Sequence, residues 1–163
     1  MLNIAVIGLG WWGRIIVDLA RQSGKLRVVR VADVSAQARA FAAQRDLSFS
    51  FNFGEVLSDP AVQGVVLCTP HTQHTDQIVA AARAGKHVFC EKPLSMTRLD
   101  VLRAVAAVEE AGVALAVGHE KRFEPPVMEV MRLLKSGALG TPLQVEANFS
   151  QDKFLALDKD NWR

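Results

Sequence analysis

Leu2-Asn3-Ile4-Ala5-Val6-Ile7-Gly8-Leu9-Gly10-Trp11-Trp12-Gly13 begins one residue into the chain, and its reading decides the fold. Residues 2–7 form an apolar run that reads as a buried strand, the glycines as a tight turn, and residues 12–22 as a helix closed by Gly24. Glycines at the G-x-G-x-x-G spacing have separate tasks. The first permits the turn, the second lets the backbone approach a pyrophosphate, and the third lets the helix pack against the sheet. Unpaired N–H groups at the helix N-terminus then hold the phosphates. Gly8, Gly10 and Gly13, with Trp11 and Trp12 between them, are therefore expected to bind a dinucleotide. The competing readings are a glycine turn without ligand and an S-adenosylmethionine site.

The same alternation of apolar run, turn and amphipathic stretch continues outward. Residues 26–32 make a second strand that ends before Asp33, and Ser35 is placed to cap a helix reaching to about residue 44. A short aromatic strand over 49–53 and a helical turn over 55–57 follow. Strands are expected at 64–68, 87–90 and 113–117, with helices at 75–83 and 97–111 closed by Gly85 and Gly112. Strands alternating with helices, each strand a continuous apolar run, imply a Rossmann-type, doubly wound parallel sheet of the α/β class over residues 1–120. Such open sheets bind ligands at the carboxyl ends of their strands.

After Val117 the rhythm changes. Pro125 is placed in the first turn of a helix that runs to Lys135 and is closed by Gly137. Residues 142–149 alternate, with Leu143, Val145, Ala147 and Phe149 on one face and Gln144, Glu146 and Asn148 on the other. This reads as a half-buried strand that needs partner strands from elsewhere. Residues 121–163 are accordingly read as a linking helix and the first strand of an incomplete α+β second domain, ending in a polar tail over 151–163.

Composition excludes several classes. The 163 residues are half apolar and carry a net charge of +2, which gives no electrostatic case for nucleic acid or an anionic membrane. No apolar stretch approaches the ~20 residues of a membrane-spanning helix. No basic residue precedes the run at 2–7, so it reads as a strand rather than a signal peptide. Cys68 and Cys90 lack metal-ligand spacing and read as reduced structural thiols, with no metal expected and the cytoplasm as the natural compartment.

Three further stretches carry chemistry at strand ends. Asp33 lies about 20 residues beyond the glycine turn, where a carboxylate accepts hydrogen bonds from adenine ribose hydroxyls; its other reading is a helix cap. A carboxylate there repels a 2′-phosphate, which favours NAD over NADP, although Arg39 downstream softens that preference. Thr69-Pro70-His71-Thr72-Gln73-His74 follows the strand ending at Cys68 and reaches toward the cofactor ribose or nicotinamide, with His74 equally readable as a cap of the next helix. Glu91-Lys92-Pro93 follows Cys90 and projects Lys92 over the same cleft, where a cation holds a substrate hydroxyl or carbonyl and assists proton transfer. From the residues alone, Lys92 is equally readable as a solvated surface lysine.

Taken in order, the glycine turn, Asp33, Thr-Pro-x-x-x-His (residues 69–74), Ala-Gly-Lys-His-Val (84–88), Glu91-Lys92-Pro93 and Gly118-His119-x-x-Arg122-Phe123 resemble the glucose–fructose oxidoreductase / inositol dehydrogenase family, Gfo/Idh/MocA. The resemblance runs from residue 2 to about residue 149. It implies an NAD(P)-dependent oxidoreductase acting on a sugar, cyclitol or related polyol. On it, Lys92 is the active-site lysine with Glu91 its neighbour beside the cofactor, Arg122 and Phe123 belong to the segment near the substrate cleft, and His74 is the histidine that follows Thr-Pro. Two departures stand out. His71 occupies the place where the family commonly has Asn, and members are about twice this length. Their second domain is an open, largely antiparallel sheet that carries an Asp and a His completing the site, and it also mediates homo-oligomers. The present chain ends at Asn161-Trp162-Arg163, before that segment, and is expected to be weakly active or inactive alone. The alternative is a non-catalytic nucleotide-binding or regulatory module.

Overall fold

A computed structural model describes residues 1–150 and 152. The chain divides into two compact units, Met1–Gly118 and His119–Arg163.

The first unit is a six-stranded, wholly parallel sheet in the order β3-β2-β1-β4-β5-β6. Its strands are β1 (Leu2–Ile7), β2 (Leu26–Ala32), β3 (Ser48–Ser50), β4 (Gly64–Leu67), β5 (His87–Cys90) and β6 (Leu115–Val117). Between them run α1 (Trp11–Gln22), α2 (Ala36–Ala43), α3 (Phe53–Leu57), α4 (His71–Arg83) and α5 (Arg98–Ala111). Successive side chains of β1 serve opposite faces. Ile4 and Val6 pack with Val17 and Ala20 of α1 and Phe41 of α2, while Ala5 and Ile7 pack with Ile78 and Ala81 of α4 and Ala104 and Val108 of α5. Both faces are thus dry, which is why the strands read as unbroken apolar runs.

Register aligns the strand ends. Ile7 is paired with Leu67, Leu67 with Cys90, and Cys90 with Val117. The ladder extends one residue further: Cys68 N donates to Ile7 O at 2.8 Å, Glu91 N to Leu67 O at 2.9 Å, and Gly118 N to Cys90 O at 2.8 Å. Gly8, Cys68, Glu91 and Gly118 therefore stand side by side at the carboxyl edge, across the β1/β4 point where strand order reverses.

Some element boundaries differ from the sequence expectation. β3 stops at Ser50, because Asn52 accepts from Gly54 N at 2.8 Å and starts α3 at Phe53. α4 starts at His71 rather than at residue 75, with Pro70 as N-cap and Gln73 N donating to Pro70 O at 2.9 Å. The first turn of α4 is polar, and the apolar period on which the expectation rested begins only later.

In the second unit a 3₁₀ turn spans Glu120–Phe123 and α6 spans Pro125–Lys135. The strand expected at 142–149 is corrected: the described residues of this segment form no strand and are exposed, Leu143 at 94 % and Val145 at 83 %. A lone strand leaves its N–H and C=O groups unpaired, and no ladder partner lies among the described residues. Apart from Asp152, the polar tail at 151–163 lies outside the described residues.

Candidate active site

The three glycines of the turn answer to different demands. Gly8 has φ +87°, and a Cβ there would stand 2.7 Å from Cys68 O; a Cβ on Gly13 would stand 1.9 Å from Gly8 O. The fold itself requires both. Gly10 sits at φ −63° and ψ −173°, and a Cβ on it would meet nothing within 4 Å. Among the described residues no neighbour demands glycine at position 10, whereas a pyrophosphate drawn against the backbone does. Gly10 is also the N-cap of α1 and supplies no side-chain cap, and the first turn of α1 has no acidic residue. The leading N–H groups of α1 are thus available to an anion. These residues fit a dinucleotide.

The turn is braced by its neighbours. Asp33 Oδ2 accepts from Leu9 N at 2.6 Å and Oδ1 from Ser35 N at 2.8 Å, while Ser35 caps α2 through Ala38 N. The carboxylate of Asp33 thus orders the entry to α2, close to its reading as a helix cap, and also joins the end of β2 to the glycine turn, a brace that neither sequence reading foresaw. Arg14 adds a second brace by donating from Nε to Leu9 O at 2.9 Å.

Glu91 is the hub of the opposite side. It is only 9 % exposed, and its Oε1 accepts from the Trp12 indole Nε1 at 2.7 Å while Oε2 accepts from Lys92 N at 3.2 Å. A Cβ on Gly118 would stand 2.7 Å from Glu91 Oε1, so the carboxylate lies directly on that glycine. Trp12, Glu91 and Gly118 thereby connect the ends of β1, β5 and β6. The motif resemblance places Glu91 beside the cofactor but does not reveal this bond, which joins residues 79 apart in sequence. Lys92 and Pro93 are exposed, joined by a cis peptide bond, and among the described residues the Lys92 ammonium makes no hydrogen bond or ion pair.

The loop after β4 departs from expectation at its far end. Thr69 and Pro70 are half-buried at the sheet edge, with Thr69 Oγ1 donating to Gln77 Oε1. His71, half-buried, opens α4, its ring 5.9 Å from that of His74. His74, expected at the cofactor, is instead fully buried, with Nδ1 2.8 Å from Pro93 O and Nε2 2.9 Å from Thr69 O. Both ring nitrogens face carbonyls, so neither is presented to the cleft. The capping reading fails for the same reason, since a helix cap accepts from N–H groups.

Burial pushes both thiols up to about 12, with the negative charge of Glu91 adding to the effect, and neither is a nucleophile at neutral pH. In the second unit Arg122 is exposed on the 3₁₀ turn, its N donating to His119 O at 3.1 Å.

Known proteins match this arrangement. The oxidoreductase family with an NAD-binding Rossmann fold, Gfo/Idh/MocA, matches residues 2–119. The chain is 33% identical over 156 residues to scyllo-inositol 2-dehydrogenase (NAD(+)) of Bacillus subtilis, covering 93% of the chain and 45% of that protein. It is 33% identical over 164 residues to 1,5-anhydro-D-fructose reductase of Ensifer adhaerens, covering 100% and 47%. The crystal structure of a probable dehydrogenase from Thermotoga maritima superposes with a TM-score of 0.84 at 31% identity, covering 86% of the chain and 43% of that structure. The chain thus spans less than half the length of these relatives. With its glycine turn, its parallel sheet and its match over residues 2–119, the chain belongs to the Gfo/Idh/MocA oxidoreductase family, and its fold is an NAD-binding Rossmann fold.

Proposed function

We propose that the chain provides the cofactor-binding part of an NAD-dependent dehydrogenase acting on a sugar, cyclitol or related polyol, with Lys92 as its catalytic residue. The observation that carries this reading is the Glu91 bridge. Its carboxylate bonds Trp12 of the phosphate turn on one side and the Lys92 backbone on the other, so the residue that carries the ammonium is anchored to the cofactor turn. Lys92 polarises or deprotonates a substrate hydroxyl, the step for which a positioned cation is suited. The nicotinamide, when bound, exchanges the hydride with the adjacent carbon. Gly8, Gly10, Trp11, Trp12 and Gly13 hold the pyrophosphate; Asp33 faces the adenine ribose; and Thr69, Pro70 and His71 border the nicotinamide side. The inositol and anhydro-fructose enzymes among the relatives support a polyol or sugar substrate.

In the longer polypeptide that this reading requires, Lys92→Ala is expected to keep its NADH affinity and to lose turnover by about 10²–10⁴-fold. Steady-state rates with a panel of inositols and anhydro sugars measure this, and wild-type rates in the variant would remove Lys92 from the chemistry. Cofactor preference is read on the present chain by tryptophan fluorescence, since Trp11 is 71 % exposed in the phosphate turn. NADH is expected to bind more tightly than NADPH, because Asp33 repels a 2′-phosphate. Equal affinities would remove Asp33 as the discriminator. The exposed apolar side chains of Leu143, Val145 and Phe149 support self-association of the chain.

A further inference from the structure

Two loops that border the proposed cleft meet at a residue that belongs to neither. His74 lies on α4, five residues beyond Thr69 and 19 before Pro93, and its two ring nitrogens face the carbonyl oxygens of those residues at 2.9 Å and 2.8 Å. The next residue repeats the connection, with Thr75 Oγ1 2.6 Å from Ser95 Oγ. Carbonyl oxygens only accept, so whichever ring nitrogen carries hydrogen donates to a loop, not to a bound molecule. The ring has zero exposure, and α4 is anchored to the sheet core through Ile78, Ala81 and Ala82. A rigid reference point is thereby set between Thr69, on the cofactor side, and Pro93, whose peptide bond is shared with Lys92.

We propose that His74 is a positioning residue: set between the Thr69 and Pro93 carbonyls, with its N–H donating to one and the ring edge packed against the other, it holds the loop after β4 and the Lys92 loop in register, and it touches neither cofactor nor substrate. The proposal rests on the assignment of the glycine turn and Lys92 made above. A core filler would need only the ring's volume, whereas a positioning residue needs its hydrogen bonds, and this difference is what the test reads.

The variants are His74→Phe, which keeps bulk and removes both ring nitrogens, His74→Gln, whose amide nitrogen falls near Nε2, and His74→Asn, whose amide nitrogen falls near Nδ1. Each is measured in the present chain in three ways: NADH affinity by tryptophan fluorescence, thermal midpoint, and the NMR signal of ¹³C-methylated Lys92, assigned with Lys92→Arg. His74→Phe is expected to weaken NADH about fivefold, the worth of one net hydrogen bond, and to move the Lys92 signal toward that of an unconstrained lysine. One ring N–H serves one carbonyl, so the variant whose amide nitrogen replaces that N–H should restore both readouts and the other should not. A lowered thermal midpoint in all three with NADH affinity and Lys92 signal at wild-type values would overturn the proposal and leave His74 a core filler. If His74→Phe fails to fold, the unequal responses of the Gln and Asn variants decide: their presence supports the proposal and their absence overturns it. Failure of the wild-type chain to bind NADH would instead strike the cofactor reading, and the Lys92 signal would still decide the coupling.

Discussion

At the scale of single residues, the glycine turn separates what the fold needs from what a ligand needs. Gly13→Ala drives a Cβ to 1.9 Å from Gly8 O, an overlap with backbone that cannot be relieved by a side-chain rotation. It is expected to destabilise the chain by several kcal/mol, about 2–4 on the scale of overpacked and strained sites. Gly10→Ala meets no atom of the described residues within 4 Å and lies in a backbone region open to any residue, so it is expected to melt close to wild type. Its NADH affinity should nonetheless fall at least tenfold, because the new methyl occupies the ground of the pyrophosphate. Thermal melts paired with fluorescence titrations measure both, and a Gly10→Ala chain with undiminished affinity would place the phosphates elsewhere. The spacing of the glycines is legible in sequence. The different reason for each is not, because it depends on Cys68 O and Gly8 O arriving from the neighbouring strand and from the turn itself.

At the scale of elements, periodicity identified every strand of the sheet and misjudged the pieces whose environment is unusual. α4 begins four residues before its expected start because His74 and Thr75, polar by type, are buried by type of partner: they bond the loops at Thr69, Pro93 and Ser95. The segment 142–149 errs in the opposite sense. Its alternation is that of a strand, yet alternation creates no strand where no ladder partner is available, and Leu143, Val145 and Phe149 stay exposed. Exposed apolar side chains gathered in one segment invite association. Sedimentation is therefore expected to show dimers or larger species that Val145→Asp shifts toward monomer. A strictly monomeric wild-type chain would count against association through this segment.

At the scale of the whole molecule, the two thiols report on the integrity of the sheet. Burial holds Cys68 and Cys90 at about 12 in the folded chain, against an ordinary value of 9.0. Between these values the unfolded chain releases protons that the folded chain retains, so stability, fully present below pH 9, is lost as pH rises toward 12. Urea midpoints are expected to fall steadily from pH 9 upward, with a slope on the order of 1 kcal/mol per pH unit for each thiol. Cys90→Ala should flatten that slope while costing some packing. At pH 8 a thiol reagent should modify neither residue until urea opens the sheet, and rapid modification of the folded chain would show that the strand ends are not dry.

Sequence by itself determined the class of fold and pointed to the candidate site, because both readings follow from local chemistry. Unbroken apolar runs can only be buried on two faces, and glycines at this spacing between a strand and a helix can only make this turn. It also singled out Asp33 and Lys92 as residues that stand at strand ends. Only the tertiary structure decided how those ends are joined. The Trp12–Glu91 bond spans 79 residues, the Asp33–Leu9 bond spans 24, and the His74 contacts tie a loop five residues behind to one 19 residues ahead. Such contacts carry no periodic signal. They arise when the parallel register of β1, β4, β5 and β6 brings four separate chain segments to one edge, and register is set by the packing of the whole sheet rather than by any stretch within it.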